Sequence, residues 1–145
     1  MSERIYFLDA NIPLHAVGGA SPLQEPSRRV MEGIASGALA ATTDVQVLQE
    51  ILHHCWRSRR FEYGCHVVDG LARMVLKVLS VTAADVRLMQ DIMREAPALP
   101  AHDALHLAVM RRHDITHIIT VDRHFAGLSD VTVLDPHAAA GMLGG

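Results

Sequence analysis

Lysine is almost missing from this 145-residue chain: Lys77 is the only one. No glycine-rich run leads to a Gly-Lys pair, so P-loop phosphate chemistry has no support. An aspartyl-phosphate phosphatase is also disfavoured. It needs a well-placed lysine and a second aspartate two residues after the first, where this chain has Asn11. Cysteine is scarce too. Cys55 and Cys65 are too far apart for a CxxC motif, and both read as ordinary buried thiols of a reducing compartment. No apolar stretch reaches the ~18–20 residues that span a bilayer. The N-terminal Met-Ser-Glu-Arg lacks the regions of a signal peptide, so a cytoplasmic protein without membrane attachment is expected. There is no basic surplus: net charge is −3 and the isoelectric point is near 6.3. That excludes binding nucleic acid through a broad basic face. It leaves room for an acidic site flanked by local arginines.

Half of the residues are hydrophobic, and mean hydropathy is +0.18. The length suits one domain spanning residues 1–145, with some apolar surface left for a partner. Short strand-like runs at 4–8, 39–42, 77–81, 117–121 and 131–134 alternate with helical patterns. The helices are expected at 11–17, 26–36 (Gly37 following as C-cap), 43 or 44 to about 57, 61–76, from 82 through 93 to an end before Pro97, 101–112 and, loosely, 136–142. In the third helix Val45, Leu48, Leu52 and Cys55 form the predicted apolar stripe, with Gln46, Glu50, His53 and Arg57 on another face. In the fourth, Tyr63, Val67, Leu71 and Met74 or Val75 are in phase. The alternation predicts an α/β fold, a three-layer α/β/α sandwich around a mainly parallel sheet.

Two of the strands run into carboxylates. Ile-Tyr-Phe-Leu at 5–8 stops on Asp9, and the strand at 117–121 stops on Asp122. If both strands are parallel, the two acids share the carboxyl edge of the sheet, where open α/β sheets bind ligands. Asp9 also suits a helix N-cap, and Asp122 suits a cap of the short turn at 123–125. Asp103, in the first turn of its helix, shares a face with Leu107 and Met110, and Glu50 lies on the helix leaving the second strand. Four clustered carboxylates repel one another, and a cation relieves the cost. Oxygen ligands favour Mg²⁺ or Mn²⁺, ions suited to phosphodiester hydrolysis because they acidify water and stabilise a leaving oxygen.

These segments resemble the PIN-domain family and, within it, the bacterial VapC-type ribonuclease toxins. The matching stretches are Phe7-Leu8-Asp9-Ala10-Asn11; Thr43 with Leu48-Gln49-Glu50-Ile51; the run 99–108 around His102-Asp103; and 118–125 around Thr120-Val121-Asp122-Arg123. The resemblance implies a metal-dependent endoribonuclease with Asp9, Glu50, Asp103 and Asp122 as catalytic acids. Asp9, Asp103 and Asp122 would carry one or two Mg²⁺ or Mn²⁺ ions, and Glu50 would complete the shell or orient the attacking water. Asn11, Thr43 and Thr120 match positions that orient ligands or waters. A homodimer and a cognate antitoxin protein covering the acidic site are also implied, with RNA as substrate. One departure is His102, where relatives often carry Arg; it and Arg123 are candidate RNA contacts. Arg28, Arg29, Arg57, Arg59 and Arg60 are further candidates for phosphate.

Three other readings compete. His102 and His106, four apart on one helix, have the spacing of a zinc-protease motif, but Asp103 stands where that motif needs Glu and no third ligand follows. His53-His54-Cys55 is a zinc fragment without a second ligand pair, more simply a surface and core mixture. A PIN-like processing nuclease that is no toxin, or a non-catalytic RNA-binding or interaction module, would carry the same fold.

Overall fold

Tyr6, Phe7 and Leu8 are all buried, as a continuous apolar run demands of a strand covered on both faces. They form β1 (Tyr6–Leu8) at the centre of the sheet. A computed structural model describes residues 3–144. Met1, Ser2 and Gly145, which belong to the expected leaderless N-terminus and closing Gly-Gly, lie outside the described residues. The other elements are α1 (Asn11–Val17), α2 (Gln24–Ala35), β2 (Ala41–Asp44), α3 (Val45–Arg57), α4 (Phe61–Met74), β3 (Val78–Leu79), α5 (Ala83–Glu95), α6 (Ala101–Arg112), β4 (His117–Ile119), β5 (Thr132–Leu134) and α7 (Pro136–Gly141).

The strand order is β3-β2-β1-β4-β5, and every pairing is parallel. From β1 the chain moves outward to β2 and β3, then crosses back to β4 on the other side of β1. Right-handed crossovers therefore place α1–α4 on one face and α5–α6 on the other. The helices pack as pairs, α1 on α2, α3 on α4 and α5 on α6, with α7 against α2. The order reverses between β1 and β4, and at such a switch point the loops diverge and leave a crevice. Asp9 and Asp122 follow these two strands. Among the described residues no helix is long and apolar enough to cross a membrane.

Several expected boundaries shift. β3 shrinks from five residues to two, and β2 starts two residues later, because only residues with a paired neighbour remain strand. α4 ends at Met74 rather than at 76. Gly37 lies just past α2 with φ +83°, the left-handed turn that favours glycine there. The predicted stripe of α3 is corrected. The buried row is Val47, Ile51 and Cys55, Leu48 and Leu52 are half-buried, and Val45 is exposed. The cap sets this rotation. Asp44 accepts a hydrogen bond from the Val47 amide at 2.9 Å, turning Val47 inward and Val45 to the rim. Glu50 then sits beside Ile51 at the margin of the buried face. In α4, Tyr63 is exposed and Gly64 is buried instead, because a side chain there would collide with Cys55 of α3 (2.6 Å). Cys65 is only half-buried, so just one of the two thiols is in the core.

Far from the crevice, Asp85 ties α5 to α6. It completes a capping box with Thr82 and receives two hydrogen bonds from Arg112, at 2.7 and 2.9 Å. The Arg112 guanidinium holds this carboxyl below the usual carboxylate range. Its contribution is present above that range and fades as pH falls through the lowered value. Asp85→Ala is expected to cost about 1–2 kcal/mol in urea unfolding at neutral pH. The gap to the parent should narrow in acid; equal midpoints at neutral pH would remove the pair from the fold's support.

Candidate metal centre at the switch point

Asp9 leaves β1 buried, and it does not cap α1. The cap position is Ala10, which has helical backbone angles and no side-chain cap bond. The carboxylate is instead fixed from three sides. The Ala10 amide donates to Oδ1 at 2.8 Å, and the Thr120 hydroxyl and Asn11 amide donate to Oδ2 at 2.7 and 3.4 Å. Asn11 also bonds Thr120 and accepts from the Val121 amide. Asn11 and Thr120 thus lock the ends of β1 and β4 together around Asp9. Thr43 acts differently from its expected role beside the acids: its hydroxyl donates to the Leu8 carbonyl at 2.9 Å. It fixes the strand end from which Asp9 projects.

A buried histidine holds the second carboxylate. His106, on α6, is fully buried; its Nδ1 meets Asp44 Oδ2 at 2.8 Å and its Nε2 meets Glu50 Oε1 at 3.0 Å. The same Nε2 lies 4.0 Å from Asp9 Oδ1. Burial opposes charge on this ring, but the hydrogen bonds to Asp44 and Glu50 outweigh it and push its pKa up to about 10. His106 is therefore an imidazolium donating from both nitrogens. Its stabilisation is complete below the ordinary histidine range, fades as pH rises above that range and is gone above about 10.

The third and fourth carboxylates share another histidine. Asp103, buried in the first turn of α6, meets His124 Nδ1 at 2.8 Å through Oδ2. The same nitrogen lies 2.7 Å from Asp122 Oδ1, which also accepts the His124 amide at 3.0 Å. The turn cap considered for Asp122 is thus present alongside the clustering. His102 Nε2 lies 3.4 Å from Asp103 Oδ1. Burial, helped by the charges of Asp122 and Asp9, raises the pKa of Asp103 to about 6 against the lowering pull of His124 and His102. Asp9 is raised as well, first by burial.

Ligand atoms of Asp9, Glu50 and His106 lie within 4.8 Å of one another, and so do those of His102, Asp103 and Asp122. All four expected acids come together, in two adjoining sets. His102 and His106 fall in different sets, which removes the zinc-protease geometry; His53 and His54 are exposed while Cys55 is buried, which removes the zinc fragment. Arg123 is exposed on the loop after Asp122. The donor set is four carboxylates, of which Asp9 and Asp103 are held by burial against ionisation, and it fits a hard divalent cation. Asp44, His106 and His124 were not anticipated. The available signal was a histidine on the otherwise apolar face of α6, one turn past Asp103. His106→Leu is expected to destabilise the metal-free protein by about 3–5 kcal/mol, since it strands buried carboxylates. Thermal melts should show Mn²⁺ raising the midpoint more in this variant than in the parent; a parent-like melt in EDTA would refute the bridge.

Comparison with known proteins bears on this centre. The PIN domain model matches residues 6–131. Ribonuclease VapC13 of Mycobacterium tuberculosis is 37% identical over 118 residues, covering 81% of this chain and 90% of that protein. Ribonuclease VapC7 of the same organism is 32% identical over 136 residues, covering 91% and 92%. Among solved structures, Mycobacterium tuberculosis VapC20, described as a sarcin-ricin loop cleaving toxin, superposes with TM-score 0.71 at 20% identity, covering 88% of this chain and 96% of that one. VapBC2 from Rickettsia felis, bound to a DNA fragment from its promoter, superposes with TM-score 0.70 at 15% identity, covering 90% and 98%. The structures share the fold, the sequence relatives match four fifths or more of the chain, and the protein belongs to the PIN-domain family.

Proposed function

We propose that this protein is a divalent-metal-dependent endoribonuclease, the toxin of a toxin–antitoxin pair. The observation that carries the reading is the convergence of Asp9, Glu50, Asp103 and Asp122 at the switch point, in a family whose relatives are named ribonucleases. Asp9, Asp103 and Asp122 would hold Mg²⁺ or Mn²⁺. When bound, the cation supplies positive charge to the phosphodiester oxygens and acidifies a nearby water. Three donors on Asp9 fix which of its lone pairs remain for a ligand. Glu50 keeps one oxygen on His106 and leaves the other to accept a proton from water. Asn11 and Thr120 hold Asp9 in place, Thr43 holds its strand, and His102 and Arg123 face the RNA.

The partner would be an antitoxin protein, as a solved structure that shares this fold is a toxin–antitoxin complex from Klebsiella pneumoniae; the toxin itself is proposed as a cytoplasmic homodimer. Purified protein should cleave RNA with Mg²⁺ or Mn²⁺ and stop with EDTA. Asp9→Asn should lower the rate by more than about 100-fold, beyond the loss typical of an outer-shell partner. Thr120→Val, which removes only such a partner, should lose about 10–100-fold with the fold intact. No cleavage by partner-free protein under any divalent ion would overturn the nuclease reading.

A further inference from the structure

A groove of about 630 Å³ leads away from the acidic centre along the outer face of α3. Gln49, Glu50, His53, His54, Arg57 and His102 line it, and Glu50 is its only acid. In a chain of net charge −3, its lining is balanced, one carboxylate against the Arg57 guanidinium, with three imidazoles that can donate or accept hydrogen bonds. The groove starts on a carboxylate of the proposed centre. Trp56, one helical turn past His53, rests on that imidazole with ring centroids 5.8 Å apart and an interplanar angle of 27°. It is 65% exposed, although it is the chain's one tryptophan.

Beyond Trp56 the helix ends in a rigid turn. The Arg60 amide bonds the Cys55 carbonyl at 2.7 Å and the Arg59 amide bonds the Trp56 carbonyl at 3.1 Å, a Schellman pairing. Arg59 takes the left-handed position of that turn, φ +60°, where glycine is usual. A strained arginine kept at an exposed tip directs attention to its side chain. Phe61 and Tyr63 are also exposed here, and Arg60 stacks over Tyr63 at 4.3 Å. Glu62 is the one acid among the residues lining this tip. Arginines alternating with exposed rings, continuous with a cleavage site, are what a single strand needs: charge for its phosphates and platforms for its unstacked bases. From Glu50 to Trp56 the rise along the helix is about 9 Å, so the platform stands within a few nucleotides of the acids.

We propose that the outer face of α3 and the α3–α4 tip form the track that holds single-stranded RNA beside the acidic centre. Arg57 and Arg59 contact phosphates, and Trp56 stacks on a base. The proposal rests on the ribonuclease reading and adds the substrate's path to it. A protein segment is the competing occupant, and the track's opening onto Glu50 favours RNA.

The single tryptophan makes the test direct. In EDTA, a uridine dodecamer should quench Trp56 fluorescence saturably. Arg57→Ala and Arg59→Gly should each weaken that titration, and Arg59→Gly should do so while melting no lower than the parent, because glycine relieves the turn. With Mn²⁺, Trp56→Ala should raise KM for the same RNA about tenfold, with the loss falling on KM rather than kcat. Cleavage with unmoved fluorescence and parent-like KM in all three variants would overturn the track and leave the nuclease reading standing. Quenching without cleavage under any divalent ion would support the track and remove the nuclease. Fluorescence that answers to a purified antitoxin but not to RNA would reassign the surface to a protein and overturn the proposal.

Discussion

A buried positive charge has to stand among buried negative ones, and the crevice is organised around meeting that demand. His106 is the charge. It reaches from α6 to Asp44 at the end of β2 and to Glu50 on α3, with Asp9 at the end of β1 close by. These elements lie on opposite faces of the sheet, so one imidazolium pins both helical layers to the sheet edge. A carboxylate stripped of water costs several kcal/mol unless paired, and the buried Asp9 and Asp44 would not otherwise crowd one ring beside the half-buried Glu50. The ring makes a preformed crevice compatible with a stable fold.

The second histidine serves its carboxylates under different conditions. His124 bridges Asp103 and Asp122 from an exposed loop, whereas His106 is sealed. His106 keeps one oxygen of Glu50 committed, and that set stays fixed when anything binds. His124 has room to leave, so Asp103 and Asp122 can exchange an imidazole for another cation without any movement of the sheet. Asp103 sits within reach of the charges of both Asp9 and Asp122. Binding at either carboxylate is felt by the third.

The sheet and the four acids were legible because they follow from patterns along the chain. Phe-Leu-Asp at 7–9 and Ile-Ile-Thr-Val-Asp at 118–122 announce themselves by where the apolar residues stop, although β4 itself ends at Ile119 and leaves Asp122 on the loop that follows. Asp103 broke an apolar helical face, and Glu50 lay on the helix that leaves the same edge of the sheet. The histidine bridges were not legible. His106 and Asp44 are 62 residues apart, and neither spacing nor periodicity reports a contact that closes only when α6 crosses the sheet. Asp44 had a sufficient local explanation as a helix cap, which it also is, and that concealed its second bond. The α3 stripe was misplaced by one helical position for a related reason. Leucines and valines occupy both faces of that helix, and the cap bond from Val47 chooses between them.

The account stands or falls on whether the carboxylates at the switch point take a divalent cation. Crystals of the protein soaked in Mn²⁺ and measured at the manganese edge test this directly. An anomalous peak among Asp9, Asp103 and Asp122, with His106 still seated between Asp44 and Glu50, is the predicted result. A saturating soak that leaves no peak among these carboxylates, or places manganese on His53, His54 or another surface histidine alone, would contradict it.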